Sequence, residues 1–151
     1  MKRVAERCYL PANRTLLKLI KEHGGKFKVS FSITGVTIEQ MKLHAPEALA
    51  SFKELAATGC VEFLGETYYH SLAALYSPDE FRAQVLKHSA LIEQEFGTRP
   101  KVFRNTELIY SDAIGAAVSE LGFQGVLAEG VDEILGCRSC NSLFRVQGRS
   151  T

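Results

Sequence analysis

The feature that most constrains this chain is its alternation of two hydrophobic periods. Segments of period two recur near Lys26, Cys60, Lys101 and Gln124, and helical sequence separates each from the next. In KFKVSFSIT, Phe27, Val29, Phe31 and Ile33 alternate with Lys28, Ser30 and Ser32, which is the pattern of a strand. CVEFL, KVFRNTE and QGVLAEG supply three more short strands. Strands that alternate with helices pair in parallel through right-handed crossovers. The alternation therefore predicts an α/β fold, either an open doubly wound sheet or a barrel.

The helix boundaries carry their own signals. Leu16, Leu17, Leu19 and Ile20 lie on one side of a charged segment that stops at Gly24 and Gly25. Thr37 with Gln40 three residues on reads as a capping box, and Pro46 interrupts the helical stretch that follows, which Gly59 ends. Ser77-Pro78-Asp79-Glu80 opens a long helix through Phe96, with cap, proline and early acids in order. A helix over Ser111 to Leu121 stops at Gly122. The final QGRST looks frayed, and residues 1–151 read as one domain without a linker.

Composition narrows the function classes. The 151 residues are 46% hydrophobic and 23% charged with a formal net charge of +1, so no basic stripe points to nucleic acid or an anionic membrane. The amino terminus lacks the apolar stretch of a signal peptide, and no apolar run approaches the ~20 residues that span a bilayer, so the cytoplasm is the expected compartment. Cys8 and Cys60 look buried. Cys137 and Cys140 form a single C-x-x-C, read as two loop thiols, with a redox or metal role as the alternative. No metal ligand set and no cofactor are expected.

In parallel α/β folds the ligand site lies beyond the carboxyl ends of the strands. That rule selects Glu62 and the loop Gly65 to His70, with Tyr68 and Tyr69, after the second strand. It selects Glu107 at the tip of the third strand and Glu129 after the fourth. Acids with tyrosines and a histidine are the equipment of a carbohydrate site. Each has a plainer reading: Glu62 as an edge-strand acid, Glu129 as a loop acid, Tyr68 and Tyr69 as packing residues, His70 as a cap or core histidine. Glu107 sits between RNT and an apolar segment, so a partly buried carboxylate is expected there, with Arg104 near enough to stabilise or neutralise it.

The segments GCVEFLGETYYHSL and KVFRNTELIYSDAIG, at their observed spacing, resemble the second and third signature regions of glycoside hydrolase family 57. These are α-amylases, 4-α-glucanotransferases and relatives acting on α-glucans. LPANRTLLKLIKEHGGKFKVSFSITGV and GFQGVLAEGVDEILG are similar to the α-amylase-type branch, so the resemblance reaches to about residue 145. It implies a parallel-strand partial (β/α)7-type barrel in which Glu107 is the catalytic nucleophile. It further implies that Glu62 lines the sugar subsite and that Tyr68, Tyr69 and His70 form the loop beside it, with Arg104 among the substrate-binding positions. The family opens on a histidine-rich strand and places its general-acid aspartate on a later strand. Neither has a counterpart here, since Asp79 and Asp112 start helices and Asp132 lies in a loop.

The chain is therefore expected to be an internal slice of a retaining α-glucan-active enzyme or 4-α-glucanotransferase. It is expected to be inactive alone, to bind α-glucan or maltooligosaccharide, and to self-associate through open sheet edges. Two other readings stay open. One is a polysaccharide deacetylase-like enzyme, which needs a metal held by Asp and paired His; His23, His44, His70 and His88 show no i, i+4 pair. The other is a non-catalytic glucan- or partner-binding remnant.

Overall fold

The computed structural model describes residues 1–146; the expected frayed tail, 147–151, lies outside the described residues. The chain opens with α1 (Lys2–Val4), a π-helical stretch (Ala5–Tyr9) and α2 (Leu10–Glu22). Helix therefore begins well before the apolar side that announced it. Pro11 stands near the start of α2 and offers no N–H to the preceding turn, and the wider π stretch lies directly before it. Cys8 lies exposed on this π stretch, against expectation, whereas Cys60 is buried as expected.

β1 (Val29–Phe31) leads into α3 (Gly35–His44) and α4 (Pro46–Ala57), which break apart at Ala45 before Pro46. The cap of α3 is Thr34 rather than Thr37. Its Oγ1 accepts the Thr37 N–H at 3.1 Å, so the helix starts a turn earlier than the capping box implies. β2 (Val61–Phe63) follows, then α5 (Ala73–Tyr76) and the long α6 (Pro78–Phe96). Ser77 caps α6 by accepting the Glu80 N–H, and Gly97 ends it in the left-handed conformation (φ 75°) that glycine adopts without strain. β3 (Val102–Arg104), a tight turn (Thr106–Leu108), α7 (Asp112–Glu120), β4 (Gly125–Leu127) and α8 (Asp132–Leu135) complete the order.

β1 pairs with β2 and β3 with β4, both in parallel, with Ser30 opposite Glu62 and Arg104 opposite Leu127. Gly65 stitches the two pairs together. Its N–H donates to the Val102 carbonyl, and its carbonyl accepts the Arg104 N–H, each at 2.8 Å. A side chain there would collide with Phe123, since a Cβ would lie 2.4 Å from that ring. The strands thus run β1-β2-β3-β4, all parallel, the α/β arrangement of a partial barrel.

One face of the strands is covered by helices. Phe31 and Phe63 pack with Phe52 of α4 and Phe96 of α6, and the Phe63 and Phe96 rings stack at 3.9 Å. Phe103 and Val126 join Phe81 and Val85 of α6 and Ile114 and Val118 of α7. Helix α6 therefore spans both clusters, and Glu95 near its end binds Lys42 of α3 and Lys53 of α4 at 2.6 and 2.9 Å. By strand alternation Ser30, Glu62 and Arg104 point to the opposite face, where Ser30 is exposed and the other two are half-buried.

Candidate active site at the strand ends

Beyond the carboxyl ends of β1, β2 and β3 the chain draws together Ser32, Glu66, Thr67, His70, Thr106 and Glu107. The turn after β3 explains how Glu107 is presented. Glu107 (φ 53°) and Leu108 (φ 57°) are both left-handed, and the Asn105 side chain closes the turn by donating to the Ile109 carbonyl at 3.0 Å. Left-handed backbone at non-glycine residues costs about 1–3 kcal/mol each and persists where the surroundings enforce it. Here the Thr67 and Thr106 hydroxyls, both buried, meet at 3.1 Å and tie the loop after β2 to the start of the turn. The turn throws the Glu107 side chain outward, leaving it 73% exposed. The partly buried carboxylate expected from its apolar neighbours is not found, because those neighbours turn away while Glu107 points out.

His70 is the third left-handed non-glycine residue among the described residues (φ 54°). Its Nε2 lies 3.2 Å from Glu107 Oε1, and its Nδ1 lies 3.7 Å from Glu66 Oε2. The imidazole thus stands between an exposed carboxylate and one that is only 2% exposed. Glu66 Oε1 accepts a hydrogen bond from the Ser32 hydroxyl at 2.9 Å, which joins the end of β1 to this group. Behind it, the fully buried His88 of α6 places Nε2 2.9 Å from the Ile33 carbonyl. A carbonyl only accepts, so Nε2 carries the proton and Nδ1 is left to accept the Glu66 backbone N–H at 3.4 Å. Burial holds His88 below the usual imidazole range, against the opposing pull of its Ile33 hydrogen bond and of the Glu66 carboxylate.

The other sequence-selected residues sit around this group. Tyr68 is buried, lies against Gly35 and donates its hydroxyl proton to Glu39 of α3. Burial first, and then the Glu39 carboxylate, push its phenol up to about 12. Tyr69 is half exposed and accepts a hydrogen bond from Lys87 of α6 at 2.6 Å, and that ammonium lies 3.8 Å from the centre of the Tyr68 ring. Arg104 forms no ion pair with Glu107 among the described residues; the His70 ring lies beside that carboxylate instead, at 3.2 Å. Glu62 lies on the open strand face three residues, or about 10 Å of strand, before Gly65. Glu129 is exposed, and its backbone N–H donates to the Leu108 carbonyl at 3.3 Å.

Glu66, Ser32 and His88 are the residues that sequence reasoning did not single out. The strand-end rule applies to Glu66 as well as to Glu62, and an acid four residues before a histidine was the available signal. A separate apolar cavity of about 320 Å3, lined by Cys8, Tyr9, Leu16, Phe31, Met41 and Phe52 among others, meets this group only at Ser32. Among the described residues no group of three or more His, Cys, Asp or Glu side chains is placed to hold a metal, and no helix is long and apolar enough to cross a membrane.

Comparison with known proteins gives these features a context. The sequence profile of glycosyl hydrolase family 57 matches residues 1–150. A Methanocaldococcus jannaschii protein named "Putative alpha-amylase" is 44% identical over 144 residues, which are 95% of this chain and 30% of that protein. Among solved structures, the 4-alpha-glucanotransferase of Thermococcus litoralis superposes with a TM-score of 0.73 at 18% identity, over 83% of this chain and 19% of that one. A CE4 family pseudoenzyme from Bacillus anthracis superposes with a TM-score of 0.61 at 18% identity, over 76% of this chain and 37% of that one. The chain thus spans less than a third of the length of the first two. At these identities the structural likenesses speak for the fold alone. The profile match and the 44% relative carry the family.

Proposed function

The chain belongs to glycosyl hydrolase family 57, and from that premise we propose that it forms part of the catalytic domain of a retaining enzyme acting on α-glucans, with Glu107 as nucleophile. The observation that carries this reading is the presentation of Glu107. Its carboxylate stands clear of the strand ends on a left-handed turn, exposed to an incoming sugar, with one oxygen held by His70 at 3.2 Å. The other oxygen is free to attack an anomeric carbon.

In such a reaction a carboxylate oxygen bonds to C1 as the C1–O bond to the leaving glucan breaks, and the leaving glucan's oxygen takes a proton from an acid. Water, or a hydroxyl of a second glucan, then displaces the carboxylate from C1 and gives up its proton to the conjugate base of that acid. Hydrolysis and transfer differ only in which acceptor reaches C1. Glu62 and Arg104, on the open strand face, and Tyr69, at the edge of the loop, are the proposed sugar contacts beside His70. Tyr68, turned toward Glu39, shapes that loop from beneath.

Asp79 and Asp112 lie in the first turns of α6 and α7 and Asp132 in that of α8, so none is offered as the acid. Turnover of unactivated α-glucans by these residues alone is accordingly expected to be absent. A cytoplasmic location is part of the same reading.

The test removes the need for an acid. Fluoride leaves without protonation, so 5-fluoro-α-D-glucosyl fluoride should glycosylate a competent nucleophile directly. Mass spectrometry should find the added glycosyl group on the peptide that contains Glu107 and not in Glu107→Gln. Labelling elsewhere, or equal labelling of both proteins, would refute the proposal.

A further inference from the structure

Glu66 has no place in the reaction just described, and its setting calls for one. A carboxylate withdrawn from water is costly unless paired, yet among the described residues neither Lys nor Arg forms an ion pair with it; the titratable side chain beside it is His70, at 3.7 Å. It is held from three sides. Ser32 donates to Oε1 at 2.9 Å, Oε2 faces His70, and the Glu66 backbone N–H is taken by His88. Glu66 is 2% exposed and lies behind the imidazole, so a sugar that reaches Glu107 meets His70 and not Glu66.

We infer that Glu66 is a positioning residue: anchored by Ser32, it fixes the His70 ring, and through that ring the direction of the Glu107 carboxylate. This rests on the reading of Glu107 as the nucleophile. The ring has a nitrogen toward each acid, Nε2 at 3.2 Å from Glu107 and Nδ1 at 3.7 Å from Glu66. Nε2 is within hydrogen-bond distance of Glu107, whereas the 3.7 Å from Nδ1 to Glu66 is a longer, electrostatic contact. Removing the charge of Glu66 takes away the electrostatic contact that faces Nδ1 and lets the ring turn. Glu107 then loses the partner that holds one of its oxygens. Small errors in the approach of a nucleophile cost up to about a hundredfold in rate.

Glu66→Gln separates positioning from a merely structural role, because the amide keeps the shape and an acceptor for Ser32. The test has two readouts in the intact chain. In long-range 15N–1H spectra the His70 ring signals should move in Glu66→Gln, and also in Glu107→Gln. With 5-fluoro-α-D-glucosyl fluoride the limiting rate of Glu107 labelling should fall about ten- to a hundredfold, with the half-saturating probe concentration unchanged. Ser32→Ala should shift both readouts the same way by less, and it serves if Glu66→Gln does not fold. Unmoved ring signals, or an unchanged labelling rate in a folded variant, would overturn the inference. If the parent chain takes no label, the reading of Glu107 fails, and the ring signals alone then decide whether Glu66 sets the state of His70.

Discussion

Gly65 is the point at which a single methyl group should unmake the assembly. An added Cβ would lie 2.4 Å from Cε1 and 2.7 Å from Cζ of Phe123, where carbon atoms need about 3.5–4.0 Å. The ring must retreat by about 1 Å from a cluster it shares with Phe103, whose ring centre is 5.4 Å away, and overpacking of this kind costs about 1–3 kcal/mol. Failing that, β2 must part from β3 and surrender the two 2.8 Å hydrogen bonds at Gly65, each worth about 1 kcal/mol net. Gly65→Ala should therefore lose about 2–4 kcal/mol, which at a slope of about 1–3 kcal/mol/M moves the urea midpoint by on the order of 1 M. Labelling of Glu107 should fall with it, because Glu66 follows directly on the displaced residue. Since a collision is the cause, the double variant Gly65→Ala/Phe123→Leu should be more stable than the sum of its single changes predicts. A midpoint shift below about 0.3 M, or strict additivity, would refute the steric argument.

Three further outcomes follow from the same geometry. The unfolded chain binds a proton at His88 more readily than the folded one, so stability is fully present above the ordinary imidazole value of about 6.5 and is lost as pH falls toward the lowered folded value; His88→Gln should flatten that part of a stability-versus-pH curve measured by urea unfolding. Glu39→Gln should bring the Tyr68 phenol down from about 12 while burial keeps it above an exposed tyrosine, as ultraviolet titration of the phenolate can read. Each outer strand pairs on one side only among the described residues, so the chain should associate with itself as concentration rises, and a monomer at all concentrations in light scattering would contradict this.

The parts of the fold that were legible in sequence are those fixed within a few residues. The cap at Ser77, the helix end at Phe96 and the break before Pro46 depend on local backbone chemistry, and all three stand where the sequence places them. The alternation of strands with helices likewise implies the parallel pairing, though not the strand order. Competing local signals were harder. Thr34 and Thr37 both carry a hydroxyl three residues before a helical N–H, and only the backbone of Thr34 is extended as a cap requires. The environment of Glu107 is not legible locally, because its apolar neighbours foretell burial only if the strand continues, and the left-handed turn breaks that continuity. The role of Glu66 is hidden in sequence because its partners are distant: Ser32 is 34 residues away and His88 is 22 from its backbone N–H. No local pattern reports such a meeting; the crossing of β1, β2 and α6 creates it.

Chemical rescue addresses the role of residue 107 most directly. Glu107→Ala leaves a space where the carboxylate stood, and azide can enter it and attack a bound α-glucosyl fluoride. If a side chain at 107 is what strikes the anomeric carbon, azide should restore fluoride release and the product should be β-glucosyl azide, with its configuration read from NMR coupling constants. Fluoride release that is untouched by the substitution, or azide that yields no glycosyl azide although the parent chain takes the label, would contradict it.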